Sequence, residues 1–105
     1  MATLADHANV SDTALIILQK KGYQLWQNSE SNTYYAEKDG WDFASNSLVG
    51  LLGVVAIFEF TRPPVWREYW WKEPSDSCLF LRLPEAPPRP YEPVYVTAKK
   101  NMPSP

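Results

Sequence analysis

"ASNSLVGLLGVVAIFEF", residues 44–60, is the stretch on which the fold turns. It carries no charge from Leu48 to Phe58, and its periodicity admits two readings. At the helical angle Leu48, Leu51, Leu52, Val55 and Phe58 form one face, with Gly50, Gly53 and Ile57 on a smoother opposite face. As a strand, "VVAIFEF" offers β-branched residues behind a glycine, which also suits a sheet. The helix is the preferred reading, capped by Ser45 or Asn46 and running from about Ser47 to Phe60. Each glycine costs ~1 kcal/mol in helix propensity, so close packing has to offset it. A helix apolar on all sides is either central to a domain or shared between two chains.

Upstream, the signals are sharper. Ser11 is placed to cap a first helix, with Val10 and Leu15 as a hydrophobic staple and Asp12 at the positive end. Lys20 and Lys21 suit its negative end, Gly22 supplies a left-handed stop, and Tyr23 can pack back on Leu18. The period then changes to two. "YQLWQ" and "TYYAEK" flank the polar "NSESN" and predict an antiparallel hairpin, while Asp39 and Gly40 mark a tight turn or bulge before "WDF". Trp41 and Phe43 then extend the sheet or cover its end.

Downstream, Pro63 and Pro64 end the central helix. "VWREYWWKEP", residues 65–74, concentrates three of the five tryptophans of the chain. A short helix ended by Pro74 places Trp66, Tyr69 and Trp70 on one face and leaves Trp71 at its flank. "CLFLRL", residues 78–83, reads as a further strand. Five of the ten prolines fall at 84, 87, 88, 90 and 93, so 83–96 is expected to be an extended, polyproline-like arm in which "VYV" docks as a short edge strand. Residues 97–105 read as a polar, mobile tail.

The totals bound the function. The chain has 105 residues, enough for one core and one domain, here residues 1–96. The formal charge of -2 provides no broad basic field for nucleic acid. Cys78 is the single cysteine, so no disulfide, thiolate zinc cage or CxxC pair can form within the chain, and a cytoplasmic setting is expected. Leu48–Phe58 falls short of the ~20 residues a membrane-crossing helix needs, and the N-terminal residues lack the pattern of a secretory signal.

Candidate chemistry is sparse. His7, the only histidine, has no motif that joins it to Cys78 or a serine, and Cys78 reads as a packing residue. Glu37, Asp39 and Asp42 form the one tight carboxylate group beside an aromatic, but their spacing matches no calcium loop and a solvated turn is expected. Glu59 projects from an apolar helix and should pair with a cation such as Arg62 or Arg67. Interleaving of Arg67 and Lys72 with the rings resembles a single-strand stacking surface, but no wider basic groove supports it. Pro84, Pro87 and Arg89 fit P-x-x-P-x-R, a pattern similar to SH3-domain ligands. Docking of this arm on the chain's own tryptophans or on a partner chain is the preferred alternative.

These readings predict a small α+β domain: capped helix, antiparallel hairpin or small sheet, apolar central helix, short aromatic helix and proline-rich arm. No enzymatic activity, cofactor or metal is expected. The expected role is that of an interaction or accessory protein that binds a protein partner or itself. Its anchors would be Trp66, Tyr69, Trp70 and Trp71, with Pro87 and Arg89 on the arm. Competing expectations are a small-ligand carrier or minor enzyme subunit, an immunity-type inhibitor of another protein, and aromatic residues that serve only as core.

Overall fold

The computed structural model describes residues 2–73 and 79–102. Chain contacts gather into two units, Asp6–Lys72, and Met1–Ala5 with Glu73–Pro105. The first unit is an α+β layer pair in the order α1 (Ala8–Lys20), β1 (Gln24–Asn28), β2 (Thr33–Lys38), β3 (Trp41–Ser45) and α2 (Leu48–Thr61).

Helix α1 begins one turn earlier than its serine suggests. His7, in an extended conformation, is the N-cap, and its Nδ1 accepts the Asn9 backbone N–H at 3.3 Å. Ser11 therefore lies inside the helix. The stop is as the sequence predicts. Gly22 has φ +94°, and the Gly22 and Tyr23 N–H groups donate to Gln19 and Leu18 carbonyls at 3.0 and 3.2 Å, which satisfies two orphan acceptors and turns the chain into β1.

The three strands form an antiparallel meander, β1-β2-β3. Asn28 shapes the first turn, because its Oδ1 accepts the Glu30 and Ser31 N–H groups. The second turn is Asp39 and Gly40, both at positive φ (53° and 86°), the geometry whose twist matches a two-residue hairpin. Leu25, Ala36 and Phe43 are cross-strand neighbours on the face turned to the helices. Trp26, Tyr35 and Ala44 are neighbours on the other face, where the Trp26 and Tyr35 rings stack at 5.3 Å.

Residues 48–61 form a helix, so the strand alternative for "VVAIFEF" is excluded. Ser47, one position beyond the expected caps, accepts the Gly50 N–H at 2.9 Å. The two glycines differ: a Cβ at Gly50 would run into the Ser45 and Ser47 hydroxyls, whereas one at Gly53 would meet open space. Close packing thus accounts for Gly50 alone. Leu51 and Val55 are fully buried with Leu18, Tyr23, Ala36 and Phe43, and Leu48, Leu52, Val54 and Phe58 pack around them. Burial of each large side chain contributes roughly 1.5–3 kcal/mol.

In the second unit, Leu79–Arg82 is a single 3-10 turn and not a strand, since among the described residues no strand pairs with it. Cys78 and Pro74 lie outside the described residues. The proline segment bends at residues 85–86 and 88–89 and so departs from one continuous polyproline rod. The expected edge strand at Val94–Val96 is instead the start of α3 (Val94–Lys100). Pro93 precedes its first turn, where a missing N–H costs nothing. Glu92 holds Thr97 Oγ1 at 3.1 Å and Lys100 Nζ at 3.2 Å, and Lys99 and Lys100 lie at the negative end.

Candidate interaction surface

The aromatic segment is not the expected short helix. After α2 ends at Arg62, which adopts a left-handed conformation (φ 48°), Pro63 and Pro64 prevent its continuation. Two tight turns follow. Trp70 N–H donates to the Arg67 carbonyl at 3.2 Å and Lys72 N–H to the Tyr69 carbonyl at 3.0 Å, with Tyr69 between them at φ 58°. A bulky aromatic residue in the left-handed region costs on the order of 1–2 kcal/mol.

The turn pair sorts the rings. Trp70 is half-buried and packs edge-on against Trp41 (5.5 Å, 79°) and Phe58 (5.9 Å, 90°), extending the aromatic contacts of Phe43. Its neighbours face outward: Trp66 is 70% exposed, Tyr69 64% and Trp71 49%. Tyr69 and Trp71 brace one another edge to face at 6.1 Å, and Lys72 Nζ sits 6.0 Å from the Tyr69 ring. In the other unit, Pro87 and Arg89 are exposed.

Two clefts flank this segment, and Trp41 lines both. The first, about 550 Å³, lies at the C-terminal ends of α1 and α2 and is lined by Lys21, Tyr23, Lys38, Glu59 and Arg62 among others. Its cations are satisfied within the protein, while Asp39 borders this cleft as well as the second. Lys21 Nζ pairs with Glu59 at 2.7 Å, Lys38 Nζ donates to the Lys21 carbonyl at 2.9 Å, and Arg62 Nε donates to the Glu59 carbonyl at 3.2 Å. Glu59 thus takes Lys21, the C-cap of α1, as its ion-pair partner, and not Arg62 or Arg67. The Tyr23 hydroxyl donates to Glu59 Oε2 at 3.3 Å. Burial, and then the negative charge and acceptor of Glu59, push the Tyr23 phenol up to about 12.

The second cleft, about 450 Å³, is lined by Asp39, Asp42, Trp41, Pro64, Trp66 and Trp70 among others. Neither aspartate side chain has a hydrogen bond or ion pair among the described residues. Glu37 lies opposite Asp42 across β2 and β3, and its Oε2 is shut from solvent with no hydrogen-bond partner. Two of the three carboxylates that read as a turn in the sequence, Asp39 and Asp42, thus also line an aromatic cleft, and Glu37 does not. "DGWD" is the signal that carries both facts.

His7 is committed as a helix cap, and no group of three or more histidine, cysteine or acidic residues among the described residues could hold a metal ion. No helix among them is long and apolar enough to cross a membrane. Compared with family models, curated proteins and solved structures, the chain matches none of them.

Proposed function

We propose that this chain is a non-catalytic interaction protein that engages a protein partner or a second copy of itself through Trp66, Tyr69 and Trp71, with Pro87 and Arg89 on the arm as a secondary contact. One observation carries the reading. A strained turn packs Trp70, half-buried, against the core and holds three large rings on either side of it out in water. Exposed tryptophan and tyrosine on a fixed backbone have the composition and low entropy cost of interface hot spots, where one ring can be worth ~2 kcal/mol or more. A binding role fits the use of the single histidine as a cap, and the formal charge of -2 favours protein over nucleic acid as partner. The lone cysteine fits a cytoplasmic setting.

The test compares wild type with the triple variant Trp66→Ala, Tyr69→Ala, Trp71→Ala. Crosslinking in cell extract is read beside light scattering of purified protein over a concentration series. The expected result is a partner, or a dimer, that wild type retains and the variant loses while its circular dichroism stays the same. Identical partners and identical mass for the two proteins would overturn the reading.

A further inference from the structure

The cleft beside the β2–β3 turn joins carboxylates and indole rings, and its lining contains no lysine or arginine. We infer that it takes a lysine or arginine side chain of a partner protein, held between the rings of Trp41, Trp66 and Trp70 and the carboxylates of Asp39 and Asp42.

The chemistry of the walls selects this occupant. An anion would meet two unpaired carboxylates and the negative faces of the rings. A neutral apolar group would strip water from those carboxylates and give nothing in return. An organic cation gains from both: its charge is attracted to ring faces by roughly 0.5–2 kcal/mol, and its aliphatic stem can lie along the indoles. Of the three rings, Trp66 is the most open to solvent, at 70% exposed, while Trp41 and Trp70 are partly buried. A bare divalent ion is a poorer fit, because calcium seeks about 6–8 oxygen ligands and two aspartates supply few of them.

Charge inside the protein leaves the place open. Lys38, next in sequence to Asp39, directs its ammonium to the Lys21 carbonyl and the face of Tyr23, 5.4 Å from the ring centre. At about 450 Å³ the cleft is within the range of ligand sites. A protein partner is the source because Trp66 belongs at once to this cleft and to the exposed aromatic segment. The inference therefore rests on the interaction reading, and adds the chemistry of the group that enters.

The test is a titration of full-length, ¹⁵N-labelled protein at low salt, followed through the indole N–H signals. The probes are a capped glycine-serine peptide with two lysines, its arginine counterpart, its Nε-acetyl-lysine counterpart and tetramethylammonium chloride. Both basic peptides should move the Trp41, Trp66 and Trp70 signals saturably, and leave the Trp26 signal in place. The acetylated peptide should bind at least tenfold more weakly. Asp39→Asn with Asp42→Asn should weaken the basic peptides at least tenfold with the fold retained, since asparagine tolerates the positive φ of residue 39. Trp66→Ala is the second variant and should do the same. Three results overturn the inference: equal binding of the acetylated peptide, no effect of the aspartate changes, or tetramethylammonium bound as tightly as the peptides, which would make this a free-cation pocket. Unmoved indoles alongside a Trp66-dependent partner would sink the cleft proposal and leave the interaction reading standing.

Discussion

The two clefts on either side of Trp41 are built from similar materials and differ in what they leave unsatisfied. At the helix ends, Lys21, Lys38 and Arg62 each have an acceptor, two of them backbone carbonyls at or near helix C-termini, where partial negative charge collects. Electrostatics there is spent on holding α1, the sheet and α2 together. Around the β2–β3 turn, Asp39 and Asp42 have no such partners among the described residues, and the adjoining tryptophan is exposed. A protein that pairs every cation of one cleft and leaves two carboxylates of the next without partners, Asp39 standing on the border of both, separates fold maintenance from recognition.

Substitutions can break this comparison, and the largest effect belongs to the ring nearest the core. Trp70→Ala removes contacts with Trp41 and Phe58 and should lower unfolding free energy by about 3 kcal/mol in urea titration, collapsing the open cleft as well. A loss below about 0.5 kcal/mol would place Trp70 with the binding rings instead.

Glu59→Gln acts on the satisfied cleft. Lys21 and Glu59 are each more than one-third exposed, so the loss should stay below about 1 kcal/mol. The same change should lower the Tyr23 phenol from about 12 towards its ordinary 10.0 without reaching it, because burial remains, and an absorbance titration near 295 nm reads this directly.

The pH dependence sharpens the contrast. Tyr23 binds its proton more tightly folded than unfolded, so between pH 10 and 12 the folded state holds more protons. The stability drawn from the neutral phenol is complete below pH 10 and declines as pH rises towards 12. Subtracting the profile of Tyr23→Phe from that of wild type should isolate this decline. A flat difference across the window would mean that neither burial nor Glu59 raises the Tyr23 phenol in the folded protein.

The smallest effects on stability are expected at the open site. Trp66→Ala, and Asp42→Asn, should each change unfolding free energy by less than about 0.5 kcal/mol while altering recognition. A loss of several kcal/mol from Trp66→Ala would assign that ring to the core and dissolve the distinction between the two clefts.

Much of the first unit was legible from residues 1–62. Gly22, the Asp39–Gly40 pair and the polar "NSESN" encode local backbone demands, and local demands are written in local sequence. The α1 cap was misplaced by one turn because Ser11 is the better intrinsic cap, but Ala8–Val10 continue the helix back to His7. After Pro64 the same reasoning fails. The rings of "VWREYWW" fit a helical stripe, yet a helix there would not seat Trp70 in the aromatic cluster with Trp41 and Phe58 while Tyr69 turns outward. "CLFLRL" and "VYV" carry strand-forming residues, and a strand needs a partner that propensity does not supply.

By itself, then, the sequence determined the α+β class, the hairpin turns and the helical run across Leu48–Phe60, since each rests on periodicity, capping or a required φ within a few neighbours. Tertiary structure alone decided which tryptophan is anchored, which cation answers Glu59, and that Asp39 and Asp42 share a cleft with Trp66 and Trp70. Those outcomes depend on contacts between segments distant in the chain, where burial and charge are settled by what the fold brings alongside.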